Sequence, residues 1–464
     1  MPNEAKILRL SDMILNRQGT FVRRIIHAVV SLSLRLFFRR IETANASDVP
    51  YNDALIFVMN HPNGLIDPAL VFVALPRKIS FLAKSTLFTM PVISYVLRVV
   101  EALPVYRKID SADVSKNRKT FEASHELLQK EGAIALFPEG ISHNSTKLLP
   151  IKTGAARIAL GAISGFSESD PVKLRIVPVG LYYTNKTTFR SEALLHFGEA
   201  FEVKPALLDS DGDLPRDAVK ELSNKIEEAL RDVTVNAESR AELDIASEAA
   251  NLFLSVSETF DLEETLAARS EFIRKYLAEK DKQLSGDLDP EDIAAHISGY
   301  KKKLREIGLE PENLSLSSQP YWYVFQHFLF RVWLLLLFAP FSLTGVIIHF
   351  PAYQVIKFIG NRYTNHGVDD IVSTVKIIAG IIFMPLTWMI IAGVIYYYFD
   401  LRAALISLPV SFLCGYAALR TLEELFDMRG WFKAIWIFFR KRDLFADLLR
   451  ERRALYRRLN KQRN

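Results

Sequence analysis

The feature that most constrains the fold is a set of three strongly apolar stretches in the last third of the chain. They run from about His327 to Phe350, from Lys376 to Phe399 and from Ala403 to Leu419. About 20 apolar helical residues cross a bilayer core, and the second stretch is long enough. The first contains Arg331 and Pro340, and the third is shorter and contains Pro409, so either of these two could be re-entrant instead. We therefore predict membrane-embedded helices over residues 321–430.

A strong positive charge follows these stretches. Residues 440–464 hold ten Lys or Arg against three Asp or Glu, whereas all 464 residues together carry a formal net charge of +5. A basic excess confined to one tail beside apolar segments favours anionic lipid headgroups over nucleic acid, which would require a basic domain face. The alternative is a solvated helix after a membrane span. Residues 431–464 are predicted to be a basic cytoplasmic tail by the positive-inside rule, with the α/β region on the same side. An even number of crossings is then required, and three full crossings would contradict this orientation.

The N-terminal segment, residues 1–45, is predicted to hold an interfacial amphipathic helix. From Phe21 to Arg40 it reads FVRRIIHAVVSLSLRLFFRR, with five arginines and no acidic residue. Its uncharged part, Ile25 to Leu34, is only about half of the roughly 20 residues that a span needs. The alternative is a helix that packs its apolar face on the soluble domain.

Residues 46–205 alternate short apolar runs with amphipathic stretches, which predicts an α/β domain with a largely parallel central sheet flanked by helices. The strand-like runs are ALIFVM, SFLA, ALPVY, AIALF and LRIVPVG. Residues 206–320 are charged and helical in pattern, and are interpreted as a helical insert or spacer. In a parallel sheet the reactive residues are expected on loops at the strand ends.

The segment NHPNGLIDP, Asn60 to Pro68, follows the run ALIFVM directly. A histidine at the end of a buried strand can meet a reacting hydroxyl, and a nearby acid can accept the other ring N–H and fix the tautomer. His61 and Asp67 are the candidates for this pair. The same residues could equally form a turn followed by a helix with Asp67 as its N-cap and Pro68 in its first turn.

The segment AIALFPEGISHNS, Ala133 to Ser145, ends a strand-like run in a Pro-Glu-Gly turn. Glu139 could accept hydrogen bonds from hydroxyl groups of a ligand, and Gly140 allows the backbone to approach a ligand closely. Three cations near strand ends or helix starts could bind a phosphate, although each alone could be a solvated surface residue. They are Arg107, Lys152 and Lys84.

Taken in order, these segments resemble the four sequence blocks of the phospholipid/glycerol acyltransferase superfamily. NHPNGLID is similar to its His/Asp block, VYRK to the second, FPEGISH to the third and IVPVG to the fourth. Within the superfamily, FPEGISHNSTKLLPIKTGAARIALGA and VTVNAESRAELDIASEAANLF look most like fungal-type glycerol-3-phosphate/dihydroxyacetone-phosphate acyltransferases and their bacterial relatives. The common pattern has four residues between His and Asp, whereas here there are five.

The resemblance implies an enzyme that transfers an acyl group from acyl-CoA or acyl-carrier protein to a hydroxyl of glycerol 3-phosphate or dihydroxyacetone phosphate. It implies His61 as the general base, Asp67 as its partner, Arg107 and Glu139 with Gly140 as acceptor-site groups, and Pro178 near the acyl donor. Neither a metal nor a cofactor is expected, and the partners would be the two substrates and the bilayer, with no nucleic acid. Two alternatives stay open, which are acylation of lysophosphatidate and a catalytically silent lipid-binding scaffold.

Overall fold

The computed structural model describes most of the chain. The described residues are 5–9, 19–164, 173–206, 214–254, 265–282, 290–309, 321–364 and 369–461. They form two compact units, each built from several segments. The sheet unit comprises Met1–Glu238, Thr265–Ser270 and Tyr363–Ile377, and the apolar-helix unit comprises Ser239–Glu264, Glu271–Arg362 and Ile378–Asn464.

The sheet unit is organised around one mixed sheet. Its strands are β1 Ala5–Ile7, β2 Arg40–Ala44, β3 Ala54–Met59, β4 Ser80–Lys84, β5 Leu103–Val105, β6 Ala133–Leu136, β7 Leu174–Tyr183, β8 Glu192–Phe197 and β9 Phe201–Glu202. Their order is β1-β2-β8-β7-β3-β6-β4-β5, with β9 also paired to β7. The pairs β2/β8, β7/β3, β3/β6, β6/β4 and β4/β5 are parallel, whereas the pairs β1/β2, β7/β8 and β7/β9 are antiparallel. The predicted α/β fold with a largely parallel sheet is confirmed.

The central strand β3 shows why this segment forms a buried strand. All six residues of ALIFVM have no exposed surface, as expected of a parallel strand covered on both faces. Because successive side chains point to opposite faces, Leu55, Phe57 and Met59 join one core and Ile56 and Val58 join the other.

Helices cover both faces of the sheet. Those before residue 239 are α1 Phe21–Phe37, α2 Ile66–Ala74, α3 Pro91–Val99, α4 Asn117–Gln129, α5 Gly154–Ser164 and α6 Arg216–Val233. The core beneath α1 and α2 includes Leu34 and Leu70, and the core beneath α4, α5 and α6 includes Ile158 and Ile226. The sheet unit therefore extends beyond residue 205, the predicted end of the domain, because the apolar face of α6 packs on the sheet.

Helix α1 buries an unusual face. The residues that it turns inward include Arg23, His27 and Ser31, followed by Leu34 and Phe37. Its outward face carries exposed apolar side chains, namely Phe21, Val22, Ile25 and Val29. The helix thus packs on the sheet unit and also presents an apolar surface, and its interfacial location remains a prediction.

The remaining helices are long or charged. They are α7 Arg240–Leu254, α8 Leu266–Lys282, α9 Pro290–Ile307, α10 Tyr321–Thr364, α11 Asp369–Tyr398, α12 Leu401–Arg440 and α13 Arg442–Lys461. Among the described residues, three helices are long and apolar enough to cross a membrane, over Leu329–Arg362, Ile371–Tyr398 and Leu401–Phe426. These helices continue through Pro340, Pro385 and Pro409 and are longer than the predicted stretches. The length and composition of these three helices indicate a membrane protein.

Within the apolar-helix unit, one histidine joins three helices. The Trp388 indole of α11 donates a 2.8 Å hydrogen bond to Nε2 of His349 in α10, and the His349 Nδ1–H donates to the carbonyl oxygen of Gly345 at 2.8 Å. The ring of His349 also lies against Gly415 of α12. Both ring nitrogens are therefore bonded, as polar groups on apolar helices require.

Candidate active site

The predicted site residues lie at one edge of the sheet. His61 follows β3, Glu139 follows β6, Lys84 ends β4, and Arg107 follows β5. These four strands are neighbours in the order β3-β6-β4-β5 and are all parallel. Their carboxyl ends therefore meet at the same edge, which is where parallel α/β sheets bind ligands.

His61 and Asp67 form a hydrogen-bonded pair. Nδ1 of His61 lies 2.8 Å from Oδ2 of Asp67, and the imidazole stacks on Phe137 with ring centroids 4.0 Å apart. Asp67 is fully buried and also accepts a 2.7 Å bond from the Asn63 amide and a bond from the Tyr183 hydroxyl. Because Nδ1 donates to the carboxylate, Nε2 carries the lone pair, and it makes no hydrogen bond to any described residue. The imidazole keeps 18% of its side-chain surface exposed, so Nε2 can meet a ligand.

The Tyr183 hydroxyl strengthens this arrangement. Burial, together with the charge and hydrogen bond of Asp67, raises the pKa of Tyr183 well above its usual value. The hydroxyl therefore stays protonated and acts only as a donor to Asp67. Since the three donors occupy both carboxylate oxygens, the carboxylate is fixed in orientation as well as in charge.

The loop between His61 and Asp67 accommodates the longer spacing. Helix α2 begins at Ile66, after Leu65 as its N-cap residue, so Asp67 lies in the first turn and its side chain does not cap the helix. Gly64 adopts a positive φ of 43°, which glycine tolerates best. Asn60 holds the start of the loop through two hydrogen bonds with the backbone of Leu181, of 3.1 and 2.7 Å.

Glu139 binds the backbone of the catalytic loop. Its Oε1 accepts a 2.8 Å bond from the His61 amide, and its Oε2 accepts from the Leu149 amide at 2.9 Å and from Nε2 of His143. The side chain of Glu139 has no exposed surface. A direct contact with a substrate hydroxyl, as the sequence predicts, would require this buried side chain to become accessible, and that contact stays a prediction.

The three predicted cations are linked through Asp110 and Gly140. Arg107 donates to both oxygens of Asp110, at 2.7 and 3.1 Å, and to the Gly140 carbonyl oxygen. Lys84 pairs with the same Asp110 at 3.1 Å, and the hydrogen bond from Arg107 holds the pKa of Asp110 below its usual value. The exposed Lys152 side chain lies against Gly140, whose φ of 76° and lack of a Cβ permit this approach. Arg107 and Lys84 share the single carboxylate of Asp110, and Lys152 adds a further charge, so the cluster keeps a positive charge that suits a phosphate.

Pro178 lies inside a strand of the sheet and not on a loop. It is buried in β7 opposite Val58 of β3, and its carbonyl oxygen accepts a 2.8 Å bond from the Gly198 amide. It sits where β7 changes its antiparallel partner from β9 to β8, so the N–H that proline lacks is not needed there. Its predicted place near the acyl donor stays a prediction.

Several residues of the site were not identified from the sequence as site residues. They are Tyr183, Asp110, His143 and Lys186. Tyr183 and Lys186 contact residues far away in the chain, whereas Asp110 and His143 bond Arg107 and Glu139 within their own loops. Tyr183 follows the apolar run of β7 and Lys186 lies in the next turn, positions that resemble any strand end. The signal that could have found Tyr183 is its place at the carboxyl end of the strand beside β3.

Comparison with known proteins identifies two regions. Residues 40–182 match the Acyltransferase family, and residues 246–462 match the Glycerol-3-phosphate acyltransferase 2 C-terminal domain. These matches confirm the resemblance predicted from the sequence blocks.

Individual relatives agree with both matches. The chain is 29% identical over 307 residues to glycerol-3-phosphate O-acyltransferase 2 of Saccharomyces cerevisiae, covering 63% of this chain and 40% of that protein. It is 27% identical over 293 residues to glycerol-3-phosphate O-acyltransferase 1 of the same yeast, covering 59% and 36%. The crystal structure of the 1-acyl-sn-glycerophosphate (LPA) acyltransferase PlsC from Thermotoga maritima covers 47% of this chain and 83% of that one at 17% identity, and its TM-score of 0.33 is too low to inform the site. The chain thus spans well under half the length of the two yeast relatives.

Proposed function

We propose that this chain, which combines an acyltransferase-family domain with a glycerol-3-phosphate acyltransferase 2 C-terminal domain, transfers a fatty acyl group to glycerol 3-phosphate. The acceptor hydroxyl would be acylated by a thioester donor, acyl-CoA or acyl-carrier protein. The observation that carries the proposal is the His61–Asp67 pair, whose unbonded Nε2 lies at the same sheet edge as the cations Lys84 and Arg107.

In the proposed reaction, His61 acts as a general base. Its Nε2 takes the proton of the glycerol hydroxyl as that oxygen attacks the thioester carbonyl, and the thiol leaves with a proton once the tetrahedral intermediate collapses. Asp67 stabilises the imidazolium that forms, because its negative charge lies 2.8 Å from Nδ1. A positioned base of this kind accelerates a reaction by roughly 10²- to 10⁴-fold. No metal or cofactor takes part in this scheme.

The cation cluster at Gly140 is proposed to hold the acceptor phosphate. Of the five N–H groups of Arg107, three are bonded to Asp110 and Gly140, which leaves two for a ligand. Lys84 and Lys152 each add a mobile ammonium group. A phosphate held here would orient the glycerol hydroxyl relative to His61, and orientation contributes much of the catalysis in direct transfer.

The acyl chain and the product are proposed to enter the bilayer. We propose that the acyltransferase domain and the basic tail both face the cytoplasm. Since three complete crossings would place them on opposite sides, one of the three apolar helices then does not cross. Ser373 and Lys376 at the start of α11 bond the loop that follows β7, so the chain is back on the cytoplasmic side after Leu329–Arg362. That helix, which contains Arg331 and Pro340, is therefore the one proposed to be re-entrant.

A transfer assay tests the proposal. Detergent-solubilised protein is supplied with radiolabelled acyl-CoA, and in a second series with acyl-carrier protein, together with glycerol 3-phosphate or lysophosphatidate. We expect labelled lysophosphatidate from glycerol 3-phosphate, and a loss of about 10²- to 10⁴-fold in His61→Ala. His296→Ala, at an exposed position of α9, is the matched control and should keep the wild-type rate.

The outcomes separate the alternatives. Transfer only to lysophosphatidate would move the assignment to a 1-acylglycerol-3-phosphate acyltransferase. A lack of transfer to either acceptor from either donor would leave the lipid-binding scaffold. Equal losses in His61→Ala and His296→Ala would show that His61 is not the base.

A further inference from the structure

The segment that follows β7 binds both loops of the candidate active site. The ammonium group of Lys186 donates to the Pro62 carbonyl oxygen at 3.0 Å, to the His143 carbonyl oxygen at 3.3 Å and to Oδ1 of Asn144. Pro62 is the residue after His61, and His143 is the residue whose imidazole bonds Glu139. One ammonium group with three N–H donors therefore ties the His61 loop to the loop that follows β6.

The backbone of the same segment is held by the beginning of α11. Ser373 donates its hydroxyl hydrogen to the carbonyl oxygen of Lys186, which also accepts a 3.2 Å bond from Nδ2 of Asn63. Lys376 donates to the carbonyl oxygen of Thr187 at 2.7 Å. Because residues 363–377 belong to the sheet unit, these bonds are internal to that unit.

Three consecutive residues near the start of α11 are buried although the helix is apolar. Val372 and Ser373 have no exposed surface, and Thr374 is only 5% exposed. A lysine on such a helix is costly unless its ammonium group finds acceptors, and a buried hydroxyl likewise requires a partner. Ser373 and Lys376 find theirs on one loop, whereas the Thr374 hydroxyl has no hydrogen-bond partner among the described residues.

These contacts form a continuous chain from the helix to the base. Ser373 and Lys376 fix the backbone at Lys186 and Thr187, and the Lys186 side chain in turn bonds the backbone of the His61 loop and of the loop that follows β6. We propose that Lys186 is a positioning residue for His61, and that the start of α11 supports it through Ser373 and Lys376. The proposal rests on the proposed acyl transfer, and it makes α11 part of the catalytic frame as well as a candidate span.

Kinetic comparison of matched variants tests the positioning role. Lys186→Met removes all three donated bonds, and we expect kcat for transfer to glycerol 3-phosphate to fall roughly 10- to 100-fold, since a misplaced base loses orientation. KM for glycerol 3-phosphate should change less than about twofold, because Lys186 is bonded to the loops and lies outside the cation cluster. Lys186→Arg keeps the charge and the donors and should recover part of kcat. Lys173→Met, at an exposed lysine just before β7, is the control and should match the wild type.

The support from α11 is tested with a pair of neighbouring hydroxyls. Ser373→Ala removes a bonded hydroxyl, and Thr374→Val removes one that has no partner and keeps the side-chain shape. We expect kcat to fall about three- to tenfold in Ser373→Ala and to stay unchanged in Thr374→Val. Equal values of kcat in the two variants would overturn the role of α11.

Hydrogen exchange gives a readout that does not depend on activity. The amides of His61, Asn63 and His143 are all hydrogen bonded in the two loops, so they should exchange slowly in the wild type. Lys186→Met and Ser373→Ala should speed their exchange at least tenfold, and Thr374→Val should not. Unchanged exchange and unchanged kcat in Lys186→Met would refute the inference. If these two variants exchange faster but the wild-type protein transfers no acyl group, the loop support is retained and only the proposed function is refuted.

Discussion

Two buried carboxylates at the same edge of the sheet each bond an imidazole, and the two pairs differ in what remains unbonded. In the first pair, Asp67 takes Nδ1 of His61 and leaves Nε2 without a partner among the described residues. In the second, Glu139 takes Nε2 of His143, and Nδ1 of that ring accepts a 3.1 Å bond from the Ser145 amide. The first imidazole has a nitrogen left for chemistry, and the second has none.

The second pair supports the first through the backbone. Oε1 of Glu139 holds the His61 amide, and the His143 amide donates to the His61 carbonyl oxygen at 3.2 Å. Glu139 and His143 thus fix the peptide groups on both sides of His61. A histidine–carboxylate pair is therefore insufficient to identify a catalytic base. The second ring nitrogen must also be free of hydrogen bonds.

The largest difference between the pairs should appear at Asp67. Asp67→Asn removes the negative charge opposite Nδ1 and places an amide NH₂ among three donors, which favours the wrong imidazole tautomer. We expect kcat to fall by about 10²- to 10⁴-fold with little change in KM. Steady-state transfer kinetics measure this, with Asp53→Asn, whose carboxylate pairs with Arg175, as the control. A loss below tenfold would remove the distinction between the pairs.

Substitution of Glu139 should lower kcat less than substitution of Asp67 does, and it should lower the stability of the sheet unit more clearly. The carboxylate of Glu139 accepts hydrogen bonds from three donors. In Glu139→Gln one of its two oxygens becomes an NH₂ group, so the amide can satisfy only part of these donors. We expect the free energy of unfolding of the sheet unit to fall by about 1–3 kcal/mol and kcat to fall about tenfold. Thermal unfolding and transfer kinetics should be measured on the same preparation. A loss of kcat as large as that of Asp67→Asn, with stability unchanged, would show that Glu139 takes part in the chemistry.

The third test removes one donor from the first pair alone. Tyr183→Phe deletes the hydroxyl that bonds Oδ1 of Asp67 and keeps both bonds to Oδ2. We expect kcat to fall only about two- to tenfold, and stability to fall by about 1–2 kcal/mol, because a buried carboxylate oxygen loses its partner. Tyr182→Phe, at the preceding residue, is the control. A fall in kcat beyond 10²-fold would mean that Tyr183 shares the role of Asp67.

The smallest effect concerns a histidine that lacks a carboxylate partner. His27 of α1 bonds Ser31 and packs on Phe72, and burial together with the charge of Arg23 lowers its pKa to about 4. The unfolded chain takes up this proton near pH 6.5, so the stability that His27 contributes is complete above pH 6.5 and is lost as the pH falls toward 4. We expect a loss of about 1–2 kcal/mol between pH 7 and pH 5.

Unfolding measured at both pH values should show this loss in the wild type. His27→Gln cannot take up the proton and should lose correspondingly less. An identical pH dependence in the two proteins would contradict the assignment.

The sequence predicted the parts of the site that depend on local pattern. The run ALIFVM became β3 over the predicted residues, and His61 and Asp67, six positions apart, met across one loop. The second and third blocks placed Arg107 and Gly140 after β5 and β6, at the same edge of the sheet, where they are hydrogen bonded. Short apolar runs indicate buried strands because a central parallel strand must be apolar on both faces.

Two of the missed site residues, Tyr183 and Lys186, depend on contacts between distant segments. Tyr183 lies 116 residues beyond Asp67, and no pattern near either residue reveals their bond. Strands β2 and β8 have mixed polarity because they lie toward one side of the sheet, where Glu42 and Glu192 share Arg40. The charged region after residue 205 gave no sign that α6 covers the sheet, since its apolar residues occupy only one face.

The discontinuity of the sheet unit also sets an order of events during synthesis. Its main segment ends at Glu238, but its last piece ends at Ile377, which is 377 − 238 = 139 residues later. At translation rates of about 5–20 residues per second, roughly 7–28 seconds pass between the two. Near the end of that interval Leu329–Arg362 has been made and Ser373 has not. The nascent chain therefore carries its first candidate span before Ser373 and Lys376, the residues proposed to support the catalytic loop, have been made.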